Sequence, residues 1–65
     1  MNYIVTEIQV FDNGTVSTLS TAFEDLTLAL AKYYQVLAAA AVSTLPIHSC
    51  VLYSVEGEHL KSECF

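Results

Sequence analysis

The feature that most constrains this fold is a helical stretch that runs unbroken from Leu26 to about Thr44. Asp25 is a good N-cap, and Pro46 stops the helix. At 100° per residue, seven apolar or aromatic positions form one stripe that should cover a sheet. They are Leu26, Ala29, Leu30, Tyr33, Leu37, Ala40 and Ala41.

The opposite side of the same helix is also mainly apolar. Five residues recur there at spacings of three and four, as in a coiled-coil seam. They are Leu28, Ala31, Gln35, Ala38 and Val42. Because a helix that is apolar on two sides is packed on two sides, the sequence predicts a homo-oligomer formed through this set, called here the helix seam.

A β-hairpin is predicted on each side of the helix. In residues 3–23, Asn13-Gly14 between β-formers is the strongest short hairpin signal. A two-residue turn there would pair Ile4 with Phe23 and direct the larger apolar side chains towards the helix. In residues 47–65, a two-residue Glu56-Gly57 turn would pair Cys50 with Glu63 and His59 with Ser54.

The order is therefore ββαββ, an α+β domain spanning residues 1–65. We expect a four-stranded antiparallel or mixed sheet with the helix on one face, in the 2-1-4-3 order of β-grasp-like domains. Mixed apolar and polar residues should then face away from the helix, as at an interface, a pocket or a partly solvated sheet. They are Tyr3, Val5, Glu7, Gln9, Phe11, His48, Cys50, Leu52, His59, Lys61, Glu63 and Phe65.

Composition narrows the class of partner. Hydrophobic residues make up 54% of this short chain and the mean hydropathy is +0.49, which favours burial between subunits. Seven acidic residues against Lys32 and Lys61 give a net charge of −5, which argues against nucleic acid. Lys32 and Gln35 lie well inside the long helical stretch, which argues against membrane insertion.

The reactive side chains do not form a recognisable site. Without a basic, apolar leader, Cys50 and Cys64 should be free cytosolic thiols. A two-residue second turn puts them on opposite faces, whereas a bulge at Gly57 would leave them on one face but diagonal, which is poor disulfide geometry. One metal ion cannot collect both cysteines together with His48 and His59, which lie too far apart along the strands. No nucleophile–base pair or phosphate loop is present, so we expect neither an enzyme nor a cofactor.

Five short segments of the chain form a recognisable combination: Lys32-Tyr33-Tyr34, residues 37–43, Pro46-Ile47-His48, Glu56-Gly57 and Ser62-Glu63-Cys64-Phe65. Together they resemble a motif of short uncharacterised proteins of gut Firmicutes and their phages. The resemblance covers most of the chain and implies a phage or prophage setting in the bacterial cytoplasm. Small oligomeric phage proteins include sponges that capture nucleotide-derived immune signals, an analogy at the level of the fold only.

Two functions follow as expectations. In the first, the chain is a non-catalytic homo-oligomer that sequesters a small ligand, such as a cyclic ADP-ribose isomer, in pockets between subunits. Tyr33, Tyr34 and His48 would stack on a base, and Lys32 would meet a phosphate. In the second, it is a phage accessory or structural protein that acts only through protein–protein contacts.

Overall fold

The computed structural model describes residues 2–65. Its elements are β1 (Tyr3–Val10), β2 (Val16–Phe23), α1 (Leu26–Ala41), β3 (Ile47–Ser54) and β4 (His59–Cys64). The predicted ββαββ order and α+β class are confirmed, with one four-stranded antiparallel sheet and α1 on one face. Among these residues, no helix is long and apolar enough to cross a membrane.

The strand order is β2-β1-β3-β4, so the predicted 2-1-4-3 order is wrong. The first strand of each hairpin lies at the centre, and β1 pairs antiparallel with β3. Strands β2 and β3 therefore run parallel on either side of β1. A parallel pair cannot be joined by a tight turn, and α1 is the crossover that joins these two strands.

The first hairpin closes with a three-residue loop rather than the predicted two-residue turn. The Phe11 amide donates to the Thr15 carbonyl, and the Gly14 amide donates to the Phe11 carbonyl, both at 2.9 Å. Gly14 has φ +84°, the left-handed residue that follows the turn in loops of this type. The extra loop residue shifts the register by one, so Phe23 pairs with Tyr3 and not with Ile4.

This shift decides which side of the sheet meets the helix. A one-residue slip moves every side chain of a strand to the other face, so Phe23 joins Tyr3 and Val5 rather than the isoleucines. The core that results is formed by Val5, Cys50 and Leu52 from the sheet and by Ala29, Tyr33 and Val36 from α1. The residues predicted to face away from the helix, apart from His59, thus belong to the face that α1 packs against.

The second hairpin also closes with a three-residue loop. The Ser54 amide donates to the Glu58 carbonyl and the Gly57 amide to the Ser54 carbonyl, both at 2.9 Å, so the predicted His59–Ser54 pairing is wrong. A bulge then shifts the register between Leu52 and Tyr53, and His59 pairs with Tyr53. The additional loop residue and the bulge shift the register of β4 in opposite directions, so their effects cancel beyond Leu52.

Beyond the bulge, the predicted pairing of Cys50 with Glu63 is confirmed. Cys64 pairs with Ser49, one position away from Cys50 along the same strand. Because neighbouring strand residues point to opposite faces, the prediction that the two cysteines lie on opposite faces is also confirmed. Both thiols are free.

The helix begins at Leu26, as predicted, and the Asp25 carboxylate accepts a hydrogen bond from the Thr27 amide at 2.8 Å. It ends at Ala41, earlier than predicted, because its last turn tightens. The amides of Val42 and Ser43 donate to carbonyls three residues back, which closes a helix end.

The helix also lies slightly rotated from the predicted stripe. Val36 is buried, whereas Leu26 and Ala41 are exposed. The predicted burial of Ala29, Tyr33 and Ala40 is confirmed. Small residues at Ala29 and Ala40 allow the helix to approach the sheet closely.

The face of the sheet away from α1 is named here the outer sheet face. The Thr6 hydroxyl lies 2.9 Å from the Ser20 hydroxyl and 3.3 Å from the Tyr53 hydroxyl, which links three strands across this face. The strand residues whose register places them here are Ile4, Thr6, Ile8, Val10, Val16, Thr18, Ser20, Ala22, Ile47, Ser49, Val51, Tyr53, Ser62 and Cys64, with His59 at one corner.

Candidate ligand-binding groove

A groove of about 380 Å³ lies between α1 and the edge strand β4. Tyr33, Tyr34 and Leu37 line it from the helix, and residues 59–63 line it from the strand. Its volume falls at the small end of the range for small-molecule sites, about 300–1,000 Å³. The groove exists because β4 is an edge strand with one side of its backbone unpaired, and because α1 packs mainly over β1 and β3.

The two adjacent tyrosines have different environments. Tyr33 is buried, with 3% of its surface exposed, whereas Tyr34 is 53% exposed. Their ring centroids are 5.2 Å apart with planes at 75°, an edge-to-face pair. The buried ring thus braces the exposed one, and Tyr34 offers a large aromatic surface to a ligand in the groove.

The Tyr33 hydroxyl stays protonated at neutral pH. Burial raises its pKa, and Cys50, Glu63 and Tyr34 raise it further. A neutral phenol can both donate and accept a hydrogen bond. Tyr33 therefore adds a polar group to a groove whose helix wall is otherwise aromatic and aliphatic.

The strand wall carries one positive and one negative side chain. Lys61 and Glu63 pair with Leu52 and Cys50 respectively, which places both on the helix side of the sheet. Both are exposed. The groove can therefore meet a ligand that has a flat ring together with one anionic and one donor group.

Lys32 and His48, which were predicted to contact a ligand, do not line this groove. Lys32 is half-buried, and it lies close enough to Cys50 to affect the thiol. His48 is 4% exposed, and its Nε2 atom lies 2.6 Å from a Glu7 carboxylate oxygen. Its buried Nδ1 atom has no partner among the described residues.

Cys50 is fully buried beneath the helix. Its pKa is raised to about 11, first by burial and then by Glu7, against the lowering effects of Lys32 and the Val51 backbone amide. Since the thiolate is the reactive form, the raised pKa favours a neutral thiol that packs in the core. Over residues 2–65, no group of three or more His, Cys, Asp or Glu side chains could hold a metal ion.

Sequence reasoning missed most of the strand wall. It assigned Lys61 and Glu63 to the face away from the helix, and it gave Leu37 only a packing role. The alternation of β4 does place Lys61 and Glu63 on one face, but which face meets α1 depends on the loop of the first hairpin.

Comparison of the chain with protein-family models, with curated proteins and with solved structures gives no match. The class that the fold and the groove define is a small α+β domain with an open aromatic groove.

Proposed function

We propose that this chain is a non-catalytic, homo-oligomeric protein that binds a small aromatic anion, with the groove between α1 and β4 as its site. The observation that carries the proposal is the exposed ring of Tyr34, braced by Tyr33 and facing a strand that bears Lys61. A ring that stacks on Tyr34 while its anionic group meets Lys61 fits both walls. Nucleotides have this chemistry, since every base has a face that can stack on an aromatic ring.

The proposal includes a phage setting in the bacterial cytoplasm, where the protein would sequester a nucleotide-derived signal such as a cyclic ADP-ribose isomer. The support for this is the resemblance of the sequence, together with two free thiols. Lys61 alone neutralises only one negative charge of a phosphate-bearing ligand. An oligomer that brings the half-buried Lys32 of a second copy to the groove would add a second cation.

His48 contributes to this proposal only indirectly. Its ring is buried and bonded to Glu7, so it could stack on a ligand only after the helix and the sheet separate. The groove itself needs no such opening, because Tyr34 is already exposed.

The first test is a thermal-shift titration with a panel of nucleotides that includes cyclic ADP-ribose isomers. We expect a saturable rise in Tm for at least one, because a ligand that binds only the folded state stabilises it. The Tyr34→Ala variant should bind that ligand about 10-fold more weakly or worse, since stacking on one aromatic ring is worth about 1–3 kcal/mol. Tyr34→Phe, which keeps the ring, should bind as the wild type does.

Leu19→Ala is a matched control, because Leu19 is 60% exposed and lies on β2, outside the groove. Lys61→Gln should weaken the binding of anionic ligands and leave the binding of uncharged nucleosides unchanged. If no compound shifts Tm, the ligand proposal fails.

The second candidate is a role in protein–protein contact alone, such as that of a phage accessory or structural protein. The observation that favours it is the outer sheet face, which offers half-exposed Ile4, Ile8 and Val51 side chains and no covering layer. Under this reading the nucleotide panel gives no shift, while the oligomer still forms.

A further inference from the structure

The two faces of the sheet have an unexpected division of charge. The face under α1 carries Glu7, Lys61 and Glu63 together with the buried imidazole of His48. Among the strand residues that the register places on the outer sheet face, by contrast, none is Asp, Glu or Lys. The face without a covering layer is therefore the less charged of the two.

The outer sheet face combines partly exposed aliphatic side chains with central polar groups that are hydrogen-bonded to one another. At its centre the Thr6 hydroxyl is within hydrogen-bond distance of the Ser20 and Tyr53 hydroxyls, so these polar groups satisfy one another. The aliphatic side chains around them are only partly covered, with Ile47 43% and Val16 61% exposed. Polar groups that are already paired lose little when water is removed.

We infer that the outer sheet face packs against the same face of a second copy, which forms a two-fold symmetric sheet-on-sheet dimer. Charge favours a second copy as the occupant. Each chain carries a net charge of −5, so two copies repel each other wherever acidic residues would meet. A face with no acidic side chain avoids that repulsion, and a two-fold contact brings this same face from both copies together.

The size of the face agrees with this occupant. Strands of about eight residues at ~3.3 Å per residue, four of them ~4.8 Å apart, make a face of roughly 500 Å² in projection. Two such faces bury on the order of 1,000 Å², about the least area expected of a biological interface. Aligned packing of two sheets about 10 Å apart is a common arrangement of this kind of surface.

The dimer is independent of the proposed ligand, because the groove opens on the helix side of the sheet. It is also distinct from the helix seam, which lies on the outer side of α1. A chain that uses both surfaces, which lie on opposite sides of the domain, forms an assembly larger than a dimer, and a chain that uses only the outer sheet face forms a dimer of about 14 kDa from 7.1 kDa chains.

The test is the molar mass of Ile8→Lys by light scattering across a concentration series. Ile8 lies on central strand β1 and is half-buried, so a lysine there would bring two like charges into the dry contact. We expect the mass to fall to half that of the wild type. Leu19→Lys is the matched control: it introduces the same charge on the neighbouring strand but on the opposite face, and it should keep the wild-type mass.

A second measurement needs no variant, in case Ile8→Lys fails to fold. In a mixture of isotope-labelled and unlabelled wild-type protein, intermolecular NOEs should join methyl groups of the outer sheet face, including Ile8 and Val51. Raising the salt concentration should strengthen the dimer, because it screens the repulsion between acidic chains. A wild-type monomer at 100 micromolar, or intermolecular NOEs confined to the helix, would overturn the inference.

Discussion

At the scale of single residues, burial decides which side chains keep their chemistry. Cys50 and Cys64 lie on adjacent strands of one hairpin, yet Cys50 is fully buried and Cys64 is exposed. Likewise the Nε2 atom of His48 is paired inside the protein with the Glu7 carboxylate, at 2.6 Å. Residue type alone therefore overstates the reactivity of this chain, and Tyr34 is the aromatic side chain best placed to act at the surface.

This difference predicts selective labelling of the thiols. In the folded protein at pH 7.5, diluted until light scattering shows the monomer and the outer sheet face is uncovered, iodoacetamide should label Cys64 quickly and Cys50 at least 100-fold more slowly, because Cys50 is both buried within its own chain and protonated. Its pKa of about 11 lies above the ordinary value of 9.0, so the neutral thiol is favoured until the pH approaches 11. Intact-mass analysis should show one label per chain in the native state and two under denaturing, non-reducing conditions.

Cys64→Ser is the control for this experiment, and it should show no fast label. Equal labelling of both thiols in the native protein would contradict the burial of Cys50. A mass two units low with no label would show a disulfide, which the opposite faces of the two residues do not allow.

At the scale of elements, the two hairpins share one design. Each closes with three residues, and in each a glycine at positive φ ends the turn, Gly14 at +84° and Gly57 at +92°. In the first loop the Asn13 side chain accepts a hydrogen bond from the Thr15 amide at 2.9 Å. These loops set the register and so decide which face of the sheet receives the helix.

Gly14→Ala should therefore destabilise the fold by about 1–2 kcal/mol through backbone strain alone, since positive φ is costly for residues with a Cβ. Space is not the cause, because nothing lies within 4 Å of an added Cβ. Gly14→Asn should cost less, because asparagine tolerates this conformation. Urea unfolding at one fixed protein concentration measures both, and an unchanged midpoint in Gly14→Ala would refute the loop geometry.

At the scale of the whole molecule, the chain is thin. Its extents are 37 × 20 × 15 Å, a single sheet with one helix, and a domain of this size buries only a modest share of its surface. Large apolar side chains remain exposed on α1 as well as on the sheet, with Leu28 57% and Val42 83% exposed. Association is a means by which so small a domain can gain further burial.

The helix seam gives the prediction at this scale. Ala38 is an exposed member of the seam, one turn from Gln35, and Ala38→Glu should lower the molar mass of the oligomer, because it would place an unpaired charge between two helices. Ala41→Glu is the control: Ala41 is also exposed but points about 60° or more away from the seam at 100° per residue. Light scattering measures both variants.

The outcomes of the two interface tests are distinct. If Ala38→Glu keeps the wild-type mass while Ile8→Lys halves it, the outer sheet face is the interface and the helix seam is not. If the reverse holds, the seam alone joins the copies. A loss of mass in both variants indicates an assembly held together by both kinds of contact.

The sequence by itself determined the elements of this protein. Its local signals act over a few residues: the Asp25 cap, the apolar period of the helix and the two glycine turns specify ββαββ without reference to distant parts of the chain. They also predicted that Cys50 and Cys64 lie on opposite faces. That prediction holds because the additional residue in the second loop and the bulge between Leu52 and Tyr53 offset each other in the register.

Only the tertiary structure decided the strand order, the face that α1 covers and the groove. Strands β1 and β3 are apolar on both sides, with Val5 and Leu52 on one face and Ile8 and Val51 on the other, so alternation does not distinguish the faces. Because the first loop has one residue more than predicted, Phe23 lies on the same face of the sheet as Val5, and this is the face that α1 covers. The wall of the groove and an outer sheet face whose strand residues include no Asp, Glu or Lys are both consequences of that choice, which depends on packing between segments far apart in the chain.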